Sequence, residues 1–93
     1  MRKLEINKEL LFEEADNHES VIVDSTRGVT HVLNQTATIL LKLCNSSSNI
    51  DDAIEEFVNL FNADVNKKEQ IRKDAVEQIS VYVENGIVSI VEE

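Results

Sequence analysis

Val21-Ile22-Val23-Asp24-Ser25-Thr26-Arg27-Gly28-Val29-Thr30-His31-Val32-Leu33 is the stretch that decides the fold of this chain. Val21 to Val23 are β-branched throughout, a polar group follows, and a second apolar run closes the stretch, which predicts a β-hairpin. Gly28 is one of two glycines in the chain, and its access to positive φ suits it to close the turn.

Downstream, Asn34 is placed as the N-cap of a helix over Thr36 to Leu43, with Ala37, Leu40, Leu41 and Cys44 on one face. Asn45-Ser46-Ser47-Ser48-Asn49 ends it. Asn49 or Asp51 caps a second helix, in which Ile54, Phe57, Val58 and Phe61 recur at three and four residues. Its acidic first turn, Asp51, Asp52 and Glu55, complements the helix dipole. Asn62 to Asn66 then connect to a longer helix from Lys67 to Glu84, stopped by Asn85-Gly86. That helix carries two apolar stripes: Ile71, Ala75, Ile79 and Tyr82 form one, and Val76 with Val83 forms another beside Arg72 and Ser80. One stripe satisfies one packed neighbour, so the second asks for another, either the protein's own sheet or a bound peptide. Ile87 to Val91 is a β-prone tail that either pairs locally or covers the core.

Upstream, Leu4, Ile6, Leu10, Leu11 and Phe12 are irregularly spaced, which fits a short first strand better than a helix. Strands followed by helices, with no internal repeat and no proline, predict an α+β fold. Ninety-three residues with 42% hydrophobic content suit one domain over residues 1–93, with one core and no linker. The N-terminal residues alternate charged and apolar side chains and lack the continuous apolar run of a signal peptide or membrane span, so a cytoplasmic protein is expected.

The net charge is −9, which repels a nucleic-acid partner unless the nine basic residues gather on one face. Lys67, Lys68, Arg72 and Lys73 do gather at the start of the third helix, either as a solvated turn or as a patch for an acidic peptide. Cys44, the single cysteine, sits in an apolar run and reads as a buried small hydrophobe.

Catalytic chemistry leaves little trace. His18 and His31 have no His or Cys neighbours at metal-ligand spacing, and the two glycines stand too far apart to cradle a phosphate. The carboxylates lie in polar surroundings where solvated surface is their expected state. Asp24-Ser25 is similar to the phosphopantetheine attachment pair of acyl carrier proteins, but that pair should open a helix, and here it follows a β-branched run. No enzyme, metal or cofactor is expected.

The segment Val21-Ile22-Val23-Asp24, Gly28, then Val32-Leu33-Asn34-Gln35-Thr36-Ala37-Thr38-Ile39-Leu40 resembles the PqqD-like pattern of strand, acidic turn and Leu-Asn-x-Thr-Ala helix start. Ile50-Asp51-Asp52-Ala53-Ile54, Phe57, Phe61, Val65, Asp74-Ala75-Val76 and Glu84-Asn85-Gly86-Ile87-Val88 look like the remainder of that family. The chain departs from the family in having no tryptophan, with Leu41 where an aromatic is frequent, and His31 or Val32 where another is common.

The resemblance implies a winged helix-turn-helix-like domain, a three-stranded antiparallel sheet followed by three helices, that recognises the leader segment of a ribosomally synthesised precursor peptide. In such recognition elements the leader adds a strand to the third strand, in a cleft walled by the third helix. Carried onto this sequence, the accepting edge is Val29, Thr30, His31, Val32 and Leu33, and the wall is Arg72, Lys73, Val76, Ile79 and Val83. Leu33 and Ile79 also read as core residues, and His31 as a surface strand residue. A stand-alone adaptor of this kind hands its peptide to a separate maturation enzyme, such as a leader protease or a radical-SAM enzyme, with a lasso-peptide pathway favoured. Neither nucleic acid nor membrane is an expected partner.

Two other classes remain open. A winged-helix DNA-binding regulator shares the implied fold, but its third helix needs Arg, Lys, Asn or Gln along an exposed stripe, and after Lys73 this helix offers Glu77, Gln78, Ser80 and Glu84. A small structural or inhibitory subunit that binds a folded protein is the third reading.

Overall fold

The computed structural model, which describes residues 2–47, 49–61 and 64–92, runs β1 (Arg2–Ile6), β2 (Leu11–Glu14), β3 (Ser20–Asp24), β4 (Val29–Leu33), α1 (Gln35–Ser46), α2 (Ile50–Asn59), α3 (Val65–Glu84) and β5 (Val88–Glu92). The hairpin forms where its residues predict: β3 and β4 pair antiparallel from Asp24↔Val29 to Ser20↔Leu33. Gly28 takes φ 69° in the turn, and the Asp24 carboxylate accepts the Arg27 N–H at 3.1 Å. β2 pairs on the other side of β3, so the sheet order is β2-β3-β4 with β3 in the middle.

The expectation of a single sheet is corrected by β1 and β5. The irregular N-terminal apolar residues belong to two strands, because Asn7 turns the chain between them: its side-chain oxygen accepts the Glu9 N–H at 3.0 Å and its carbonyl accepts the Leu10 N–H at 3.2 Å. β1 leaves that turn to pair with β5 from Arg2↔Glu92 to Ile6↔Val88, so the β-prone tail finds the opposite end of the chain and no local partner. The fold is α+β, with two antiparallel sheets and three helices.

Each helix starts on a side-chain cap that satisfies an otherwise unpaired N–H. Asn34 accepts from Ala37 at 2.8 Å, Asn49 from Asp52 at 2.8 Å, and Asp64 from Lys67 at 2.9 Å. The Asp64 cap starts α3 two residues earlier than Lys67, at Val65. Asn62 and Ala63 of the expected connection, and Ser48 of the serine run, lie outside the described residues. α3 ends in a Schellman arrangement: the Ile87 N–H reaches the Tyr82 carbonyl at 2.9 Å and the Gly86 N–H reaches Val83 at 3.1 Å, with Gly86 at φ 72°.

The core draws Leu4 from β1, Ile22 and Leu33 from the three-stranded sheet, Leu40, Leu41 and Cys44 from α1, and Ala53, Phe57 and Val58 from α2. Ala75, Ile79 and Tyr82 of α3 complete it with Ile87 and Val88. β1 covers α1 and α2 and β5 covers α3, whereas the three-stranded sheet meets the helices through β4 and α1. A buried hydrogen bond of 2.7 Å between the hydroxyls of Ser20 and Thr38 joins β3 to α1. α1 touches both β4 and α3 and so forms a floor between them.

Candidate functional site

Hydrogen-bond alternation shows which backbone groups the β4 edge leaves free. In an antiparallel ladder, residues that exchange hydrogen bonds alternate with residues that do not. The Ala15 N–H bonds the Glu19 carbonyl at 2.7 Å, and this pair continues the β2–β3 register, so Glu13↔Val21 and Leu11↔Val23 are the bonded pairs of that ladder. The central strand alternates its two sides, so Ser20, Ile22 and Asp24 bond across to Leu33, His31 and Val29. The N–H and C=O groups of Thr30 and Val32 therefore point away from β3, to the outer edge of β4, where the described residues place no further strand.

The side chains of β4 divide in the same way. Val29, His31 and Leu33 share the face of buried Ile22, whereas Thr30 and Val32 share the outer face with Val21 and Val23. Val29 is exposed, His31 half-buried and Leu33 buried, so this face passes from open to closed along the strand. On the outer face Val32 is 71% exposed.

One flank of α3 lies alongside this edge, held at both ends. At the start of β4, the Arg27 guanidinium donates to the Asn85 carbonyl at 3.3 Å and rests over Gly86, so a cation sits at the carbonyl end of the helix. Beyond the end of β4, Asn34 lines a cavity together with Asp74 and Gln78 of α3. β4 and α3 thus run in opposite directions. Five strand residues span about 16 Å, and the eleven helical steps from Asp74 to Asn85 span a similar ~16 Å. Asp74, Gln78, Val81 and Asn85 fall on this flank at helical spacing. From these two anchor points we infer a groove with β4 as one wall, this flank as the other and α1, which touches both, as floor. Tyr82, fully buried, fastens the floor by donating its hydroxyl to the Ala37 carbonyl.

The expected wall on α3 stands elsewhere. Val83 lines a depression with Ile6 of β1 and Val88 and Ile90 of β5, and Arg72 reaches Glu55 of α2 with two hydrogen bonds of 2.8 and 3.0 Å. Val76 lies between them on the same flank, about 100° round the helix from Ala75. Val76 and Val83, 49% and 36% exposed, therefore face away from β4. Ile79 is buried in the core and Lys73 is exposed to solvent. Of the expected site residues, Val29 to Leu33 form the edge strand, with the side chains of Thr30 and Val32 on its outer face and Leu33 in the core, and Arg72, Lys73, Val76 and Val83 lie off the flank that meets Asn34 and Arg27. The reason is that the apolar pattern gives each stripe's angle on the helix but not the side on which β4 approaches.

The cavity beyond β4 was not anticipated from the residues. It has a volume of about 260 Å³, and Leu40, Phe57, Phe61, Ile71 and Ala75 form its apolar wall. Phe57 and Phe61 hold each other edge to face, ring centroids 5.1 Å apart. In sequence these two belong to a core stripe. The signal that distinguishes them is position: Phe61 follows the last turn of α2, where one more apolar residue has no interior left to enter.

Arg72 also donates to Glu69 at 2.6 Å, so its charge is matched within the protein, and its guanidinium holds the Glu55 carboxyl below the usual carboxylate range. Glu14 is lowered in the same manner by Lys42, 2.8 Å away, and by His18. Burial pushes the Cys44 thiol up to about 11, which leaves it protonated and unreactive at neutral pH. Among the described residues no cluster of three or more His, Cys, Asp or Glu side chains is placed to hold a metal, and no helix is long and apolar enough to cross a membrane.

Comparison with solved structures places this arrangement among known folds. A chain of the structure described as TbiB1 in complex with the TbiA(beta) leader peptide superposes with a TM-score of 0.76 at 10% identity, over 91% of this chain and 94% of that one. No curated protein matches. The sequence profile of the family described as Coenzyme PQQ synthesis protein D (PqqD) matches residues 19–88. That match begins just before β3, takes in the hairpin, all three helices and the groove between β4 and α3, and ends at the first residue of β5, and over this three-quarters of its length the chain belongs to the PqqD family.

Proposed function

We propose that this protein is a non-catalytic adaptor that takes the leader segment of a ribosomally synthesised precursor peptide as an added strand on β4 and delivers it to a separate maturation enzyme. The observation that carries this reading is the free edge of β4, whose Thr30 and Val32 backbone groups open beside the α3 flank. An extended peptide satisfies these groups with its own main chain, and its alternate side chains enter the groove past Val29 and His31. The likeness in fold to a protein solved with a leader peptide, and membership of the PqqD family, support the same reading.

The peptide-contacting residues in this proposal are Val29 to Leu33 on one wall and Gln78 and Val81 on the other. The favoured setting is a cytoplasmic lasso-peptide pathway, in which a leader protease receives the peptide; a radical-SAM enzyme is the alternative receiver. The test is fluorescence anisotropy of a labelled leader peptide, taken from the precursor gene nearest this one, titrated with the purified protein. Saturable binding at a Kd of about 1 μM or tighter, roughly −8 kcal/mol, is the expected result, together with a Tm that rises with peptide concentration. A folded protein that leaves the anisotropy unchanged overturns the proposal.

A further inference from the structure

The cavity beyond β4 carries a single charged side chain, Asp74, among its lining residues. Asp74 accepts a hydrogen bond from the Gln70 side chain at 2.9 Å, which steadies the carboxylate. Among the described residues no cation forms an ion pair with it. Lys67, on the same flank, stands two turns earlier, about 10 Å along the axis. Asn34, Thr36 and Gln78, which share the lining with Asp74, are neutral. The chain as a whole carries −9, and Arg72, one of the basic residues near Asp74 on α3, is matched by Glu55 and Glu69.

At about 260 Å³ the cavity lies below the ~300–1,000 Å³ of sites that enclose small molecules. It holds about nine waters' worth of space at ~30 Å³ each, which suits one bulky side chain of a longer ligand. Its place is fixed by Asn34, the residue after the last of β4, so a peptide paired along Val29 to Leu33 reaches it on leaving the strand.

We propose that this cavity takes one bulky apolar side chain of the bound peptide and that Asp74 selects a Lys or Arg two residues away from it. The spacing follows from the extended chain, in which residues i and i+2 face the same side. The inference rests on the peptide-binding reading above and adds to it a charge requirement. It concerns Asp74 as a specificity-determining residue, with its charge acting at the solvent-exposed rim.

The experiment is selection of a displayed library of random twelve-residue peptides against the immobilised full chain, in parallel with its Asp74→Asn and Asp74→Lys variants, each shown to be folded by thermal melting. The wild type is expected to enrich a bulky apolar residue with Lys or Arg at the second position from it. Asp74→Asn loses the charge preference and Asp74→Lys turns it toward Asp or Glu, both keeping the apolar residue. A synthetic wild-type winner loses about fivefold in affinity when its cation is changed to Glu, and Asp74→Lys restores it. Apolar peptides enriched without charge bias, or an unchanged bias with Asp74→Lys, overturn the role of Asp74 while the peptide-binding reading stands. Failure of all three proteins to enrich any extended peptide overturns both.

Discussion

The two flanks of α3 differ in what they reveal to sequence and in what they face. The flank with Arg72, Val76 and Val83 is the more apolar in pattern, yet it looks toward β1, β5 and α2. The flank with Asp74, Gln78 and Val81 is mostly polar, yet it lies along the free edge of β4. Under the proposed function, the wall beside an added strand does not need the stronger hydrophobic stripe. In strand addition the main chain supplies much of the attachment, and the wall shapes what enters beside it.

The sharpest way to break this comparison is at the strand that gives the first wall its meaning. Val32→Pro removes an outward N–H without touching the β3–β4 ladder, so leader binding should weaken at least tenfold, about 1.4 kcal/mol. Phe12→Pro on the opposite edge, where the N–H also points outward, should leave binding within twofold, since the helix that approaches β2 is α1, through the Lys42–Glu14 pair, and not α3. Equal losses in both variants mean that the edge is not selective.

Next in size is the pair of α3 substitutions. Val81→Asp should cost about tenfold in peptide affinity, while Val83→Asp, of similar exposure and two residues away, should cost less than twofold. Anisotropy titrations of the two variants, with circular dichroism to verify helix content, decide between the flanks. The reverse ranking restores the apolar stripe as the wall.

A smaller change is expected for Arg27→Ala, which removes the contact between the hairpin turn and the carbonyl end of α3. Binding should fall by about threefold, the scale of a partly exposed charge–dipole contact of ~0.3–1 kcal/mol, with hydrogen exchange quickening at Val29 and His31. The smallest effect belongs to the other flank. Glu55→Gln breaks the exposed pair with Arg72 and should lower Tm slightly at neutral pH while leaving peptide affinity unchanged. Because the Glu55 pKa is lowered by folding, its contribution is present above the ordinary carboxylate range and is lost as pH falls through the lowered value. The Tm difference between variant and wild type should therefore close in acid.

What could be read in advance follows from the range of each interaction. The hairpin, the Asn34 cap, the stop at Asn85-Gly86 and the core faces of all three helices are local features, written in neighbouring residues. The pairing of β1 with β5 joins residues about ninety positions apart and leaves no local mark beyond β-prone composition. The β4 edge was legible because edge and hairpin are one element. The groove's second wall was not, because Asp74 and Gln78 look like ordinary solvated helix positions until Asn34 is seen beside them. Arg27, likewise, is only a turn residue in sequence, and its contact with Asn85 spans 58 positions.

The pairing of β1 with β5 also sets an order of events during synthesis. The hairpin and the caps can form as soon as their own residues have left the ribosome, but Leu4 and Ile6 must wait for Val88 to Glu92 before their strand has a partner. Until Val88 to Glu92 have been made, β1 is an unpaired strand with an apolar face, the condition in which nascent chains meet chaperones or one another. Closure of the ribbon is thus the late, non-local step that seals the helices after the half that carries the β4 edge has been assembled.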